Sequence, residues 1–209
     1  MAHSSPILLL PAVRGLPVRG LVAVVTLLAL ATTIVGCASV SYKPVKSDSP
    51  RPQTNMPACS GSLVVGQRCL ARVQADQLYT STGLNVKARQ TYKVEVPPEQ
   101  VWYDADRRNV PPKGEPGSFI MNMFKSLKRH RNSDWFTLMA AVTNPCIPCM
   151  EHSLSDIYDL SATPVIQVQH DGVLAMYPND ALPRRFYNNN SGQIWVFIER
   201  QADSKKSTQ

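Results

Sequence analysis

The chain has 209 residues, 22 Lys and Arg against 15 Asp and Glu, and a formal charge of +7 at pH 7. With Arg14 and Arg19 of the first apolar stretch set aside, 20 basic residues face 15 acidic ones, an excess of +5 spread along the chain except at KSLKRHR, 125–131. Dispersed cations without a matching motif exclude nucleic acid as the expected partner, and the length suits one core of ordinary domain size.

Arg14 and Arg19 precede LVAVVTLLALATTIVG, an apolar run of signal-peptide length and short for a bilayer-spanning helix. Ile34-Val35-Gly36-Cys37 follows, and these four residues resemble the lipobox of bacterial lipoproteins. The resemblance implies a signal peptide over 1–36, diacylation of Cys37 and stable anchoring to the membrane through more than one acyl chain. Ala38 and Ser39, with no aspartate after the cysteine, imply by the same resemblance the outer membrane, with the domain facing periplasm or cell surface. Residues 37–58 carry Pro, Ser, Lys and Asp without an apolar period and read as a flexible lipidated tether. The tail 201–209 reads as disordered, which leaves 59–200 as the folded domain.

Cys59, Cys69, Cys146 and Cys149 remain once Cys37 is assigned to the lipid, an even number that suits two disulfides in an oxidising compartment. Three connectivities are open, and closeness in sequence favours 59 with 69 and 146 with 149. Cys146-Ile147-Pro148-Cys149 lacks the strand-to-helix setting of a thioredoxin-like motif, and a metal site with His152 is the weaker alternative.

Within the domain the dominant period is two. Tyr92, Val94 and Val96 alternate with Lys93 and Glu95, the mark of a half-buried strand. Further strands are expected over 83–89, 135–142, 164–169, 172–177 and 193–199, and their spacing predicts antiparallel sheets packed face to face. Asp171-Gly172 predicts a two-residue turn joining 164–169 and 172–177 as a hairpin. SFIMNMFKSLKRH departs from this rule, because Phe119, Ile120, Met123, Phe124 and Leu127 recur at helical spacing. It predicts one short amphipathic helix that caps the sandwich and turns a basic face outward. Before it lies VWYDADRRNVPPKGEPGS, an irregular stretch of a length more often functional than filler, in which Trp102 also suits a core anchor.

No catalytic constellation stands out, and the chain is not expected to be an enzyme. Asp104, Asp106, Asp180 and Glu199 offer carboxylates without a pattern. Ser191 is not in a nucleophile elbow, and His130, His152 and His170 lack metal-ligand spacing. Residues 177–198, YPNDALPRRFYNNNSGQIWVFI, hold more amide and carboxylate oxygen than a turn needs, and calcium takes six to eight such oxygens.

GVLAMYPNDALPRRFYNNNSGQIWVFI resembles the C-terminal part of the galactose-specific PA-IL type of bacterial lectin, and VEVPPEQVWYDADRRNVPPKGEPG resembles an upstream strand and loop of that family. The resemblance implies a mainly β, lectin-like antiparallel sandwich of jelly-roll type that binds carbohydrate through calcium. It places Asp180, Asn189 and Asn190 on both ion and sugar, with the carbonyls of Phe186 and Ala105 completing the ion shell. Pro183-Arg184-Arg185 makes the intervening loop longer and more basic than the family's. A second reading is an immunity lipoprotein that neutralises a secreted lipase effector, with the helix face and Arg184-Arg185 as its protein-binding patch. A third is a structural envelope lipoprotein without ligand.

Overall fold

A computed structural model describes residues 49–104, 107–143 and 154–203. The first of its two compact units, Met1–Ser41, lies outside the described residues, so the expected signal peptide and the lipid site at Cys37 fall there too. The described strands and helices all belong to the second unit, Tyr42–Gln209.

The described residues hold ten strands: β1 Arg68–Gln74, β2 Thr80–Val86, β3 Thr91–Glu95, β4 Trp102–Asp104, β5 Arg107–Val110, β6 Leu138–Thr143, β7 Leu154–Asp159, β8 Val165–Gln167, β9 Gly172–Pro178 and β10 Gln193–Gln201. Among the described residues three helical turns join them: α1 Phe119–Met123, a 3-10 turn Lys125–Leu127 and α2 Arg184–Tyr187. One sheet has the order β1-β10-β3-β8, the other β2-β9-β6-β7, and β4 pairs with β5 alone. Every pairing between strands is antiparallel.

β10 shows why the residues divide as they do. Ile194, Val196, Ile198 and Arg200 are buried while their odd-numbered neighbours are half-buried, the period of a strand with one face on a core. Those isoleucines and Val196 share a single apolar cluster with Val73 and Val94 of the first sheet and with Leu84, Leu138, Val142, Leu174 and Met176 of the second. Apolar residues of both sheets meet in one core, so the molecule is the expected antiparallel β-sandwich. β6 is buried throughout from Leu138 to Val142 because its other face carries a smaller cluster of Met139, Ala141 and Tyr177.

Several expectations shift. The strand expected at 83–89 starts earlier, at Thr80, because Gly83 (φ +80°) sits where the register with β9 slips and where a Cβ would come within 2.7 Å of the Cys59 carbonyl. Asp171-Gly172 does not make a hairpin: β8 pairs with β3 in one sheet and β9 with β2 and β6 in the other. Asp171 Oδ1 instead accepts the Ala88 N–H at 2.7 Å, and Gly172 is needed for close approach, since a Cβ there would lie 2.3 Å from the Thr143 carbonyl. The expected capping helix is only five residues long, and none of them is buried.

The expected tether is packed from Ser49 onward: Ser49 Oγ donates to the Val101 carbonyl (2.8 Å) and accepts the Val101 N–H (2.9 Å). At the other end Gln201 completes β10, and the Arg200 guanidinium holds Asp203 at 2.8 Å. Cys59 and Cys69 form a disulfide; Cys146 and Cys149 lie outside the described residues.

Candidate functional site

The site grows from the end of β9. Asn179 is fully buried: its Oδ1 accepts the His130 N–H at 3.0 Å, and its Nδ2 donates to the carbonyls of His130, Ser133 and Asp134 at 2.9–3.2 Å. The Arg129 N–H donates to the Asp180 carbonyl at 3.0 Å and the Leu182 N–H to that of Leu127 at 2.9 Å. The basic loop 125–131 is thereby laid along residues 179–182, and with it Arg129. Neither Asn179 nor Arg129 is marked in the sequence, because what they bind lies some fifty positions away.

Asp180 follows, 5% exposed, and both of its carboxylate oxygens are used. Oδ1 accepts the Ala181 N–H at 2.6 Å and Oδ2 accepts Nδ2 of Asn190 at 2.8 Å. Burial pushes its carboxyl above the usual carboxylate range, opposed by these two bonds and by the Arg129 guanidinium. That guanidinium lies 5.1–5.5 Å from the ring centroids of Tyr79, Tyr177 and Tyr187. Its Nη1 donates to the Leu78 carbonyl, whereas Nε and Nη2 are buried without a partner. Burial lowers its pKa from the usual arginine value.

The three asparagines have three fates. Asn188 is exposed and lines a cleft of about 420 Å3 with Asp76, Gln77, Leu78 and Tyr187. Asn189 is half-buried, with a buried Oδ1 that meets no donor. Asn190 is 2% exposed; Nδ2 also reaches the Ala75 carbonyl at 3.4 Å, and its Oδ1 too is buried and unpaired. None of the three has a positive φ; the left-handed turn falls on Gly192 at φ 86°. Backbone conformation therefore does not account for the run of amides.

The irregular stretch that the sequence placed opposite this corner does reach it. Tyr103 of β4 exchanges backbone hydrogen bonds with Ser191, at 3.1 and 2.9 Å. Trp102 beside it is fully buried and donates Nε1–H to the Phe136 carbonyl at 3.2 Å, so the core-anchor reading also holds. Of the residues expected in the site, the fold brings Asp180 and Asn190 into direct contact and carries Phe186 and Asn189 on the same short connection. Ala105 lies outside the described residues. Among those residues no three His, Cys, Asp or Glu side chains gather as a metal cluster, so a cation here would depend on amide and carbonyl oxygens around one carboxylate.

His130 ties the loop to β9 through Nε2 and the Tyr177 hydroxyl, 2.7 Å apart. Burial, and then Arg129, lower its pKa from 6.5. A depressed histidine favours the neutral form in the fold, so its contribution is present above pH 6.5 and is lost as pH falls through the folded pKa. Between pH 7 and pH 5 the melting temperature of the wild type should drop further than that of His130→Gln; parallel curves would refute the assignment.

No family model matches the chain, and no curated protein matches it. Among solved structures it aligns with the N-terminal domain of EclA, described as a PllA-like lectin, at 17% identity over 63% of this chain and 95% of that chain, with a TM-score of 0.38. No residue of the site is transferred through that loose overlap.

Proposed function

We propose that the Asp180–Asn190 corner is a calcium-dependent carbohydrate site on a lectin-like binding module, which a lipid on Cys37 would hold at the cell envelope. One observation carries this reading: two buried amide oxygens on adjacent residues, Asn189 Oδ1 and Asn190 Oδ1, lack any donor, and Asn190 also holds the buried Asp180 carboxylate. A buried acceptor left unpaired costs about 1–3 kcal/mol, and a hard cation that takes oxygen ligands relieves that cost for both. Asp180, Asn189, Asn190 and the Phe186 carbonyl are the groups that would hold it. When bound, calcium supplies open coordination positions for vicinal hydroxyl oxygens. The chain's own part is to fix the amides, through Nδ2 of Asn190 on Ala75 and the Tyr103–Ser191 bridge, and to present the neighbouring cleft at Tyr187 and Asn188.

A single carboxylate with Arg129 close by makes this a low-charge site. Its affinity should lie near the weak end for calcium, about 0.1–1 mM. At ten- to twenty-fold excess, binding to the native state alone adds about 1.4–1.8 kcal/mol, or roughly 5 °C in melting temperature, reversed by chelator. Asp180→Ala should remove the response. Asn189→Ala is the sharper variant, since an unpaired oxygen is deleted: its melting temperature without calcium should not fall, yet its response to calcium should vanish. Arg129→Met, which withdraws a positive charge, should shift the calcium midpoint about ten-fold lower. Identical melting of the wild type with calcium and with chelator would refute the ion site. A normal calcium response with no retention on immobilised sugars would refute only the carbohydrate.

A further inference from the structure

The turn Phe119–Phe124 faces its apolar side chains outward. Phe119 is 83% exposed, Ile120 67%, Met123 66% and Phe124 45%. Single exposed apolar residues are ordinary, but four in six consecutive positions form a patch, and patches mark interaction surfaces. The turn is built to stand there. Ser118 Oγ accepts the Met121 N–H at 3.3 Å, Nδ2 of Asn122 donates to the Gly117 carbonyl at 2.9 Å, and Gly117 packs on Trp135 so closely that a Cβ would lie 2.4 Å from the indole nitrogen.

Charge identifies the partner. The excess that is dispersed along the sequence gathers in the fold, because the segments 116–133 and 181–198 contain no Asp or Glu. They meet through the Leu182–Leu127 hydrogen bond and through the Phe124 and Phe186 rings, whose centroids are 6.4 Å apart. Lys125, Arg131 and Arg185 are exposed around that junction, with Arg185 stacked 4.9 Å over Phe186. We infer that this face docks on an anionic lipid surface, its four apolar side chains seated at the headgroup boundary and its cations on lipid phosphates. The exposed cations of this face repel a second copy of it. A projecting apolar turn suits a fluid surface, which needs no matching shape. No helix among the described residues is long and apolar enough to span a bilayer, so the contact is peripheral. It depends on no part of the calcium reading.

Hydrogen exchange on the full chain reconstituted in vesicles tests this. Each cation near an anionic surface multiplies docking about five-fold, so Lys125 and Arg131 together should slow exchange of amides 119–124 about thirty-fold in vesicles containing phosphatidylglycerol relative to phosphatidylcholine alone. High salt should erase the difference. Phe119→Ser/Ile120→Ser should lose the protection without lowering the melting temperature, since both side chains are exposed. Equal exchange in the two lipids overturns the inference. So does protection without anionic lipid that rises with protein concentration, which would assign the face to a second copy, or protection that requires an added protein.

Discussion

Asn179→Ala lowers the melting temperature by roughly 10 °C, the equivalent of about 3 kcal/mol in a domain of this size. The side chain removed is fully buried, and its two N–H bonds are shared among the carbonyls of His130, Ser133 and Asp134 while its oxygen holds the His130 N–H. Alanine takes their partner from the Asp134 carbonyl and the His130 N–H, whereas the Ser133 carbonyl keeps the Lys128 ammonium and the His130 carbonyl keeps the Ser133 N–H. A loop that shifts toward water recovers part of the loss, which is why the expected cost is below the sum of single bonds. Asn179→Asp should be worse, because it replaces the donors with a carboxylate aimed at carbonyl oxygens. Hydrogen exchange locates the effect: the amides of 129–134 should exchange faster in Asn179→Ala by more than the global change in stability. Uniform acceleration across the sandwich would contradict the clamp.

Trp102→Ala should cost about 4 kcal/mol in denaturant unfolding, among the largest losses for a single core truncation. Trp102 is fully buried and pairs with Val110 across β4 and β5. Removing it takes away volume and strands the Phe136 carbonyl, which accepts Nε1–H and belongs to a residue held at φ 61°. The damage should travel. Tyr103, the next residue, carries the bridge to Ser191, so the calcium response should weaken together with stability. Trp102→Phe separates the causes: it keeps most of the volume, loses the hydrogen bond, and should cost about 1–2 kcal/mol. If phenylalanine costs as much as alanine, the hydrogen bond rather than packing carries the site.

Strands are legible where one face is buried and the other is not, and where the apolar run is continuous, as in β6 and β9, which are buried on both faces. β10 and β3 alternate cleanly, and both were located within two residues at each end. β7, LSDIYD, escaped because it is an edge strand, mostly half-buried, with no contrast between its faces. β1 escaped because Leu70 and Ala71 are adjacent and both buried, which breaks the period. The helical spacing from Phe119 to Leu127 was real, but periodicity states that a face is apolar, not what it meets. The Asp180–Asn190 contact was legible through resemblance and an excess of oxygen. Asn179 and Arg129 were not, because only the folded loop supplies their partners.

The order of the first sheet has a consequence for how the chain comes to be folded. β10 lies between β1 and β3, so neither earlier strand has its central partner until residues 193–201 exist. During synthesis the edges of β1 and β3 wait unpaired while more than half of the described chain is still to be made. Closing so long a loop is slow, and half-made sheets are open to wrong pairing. The Cys59–Cys69 loop and the β2 pairing with β9 do not remove that delay, since β9 is itself late. Folding of this domain is thus tied to completion of its last strand, and a chain halted before Gln193 would be prone to aggregate rather than to fold in part.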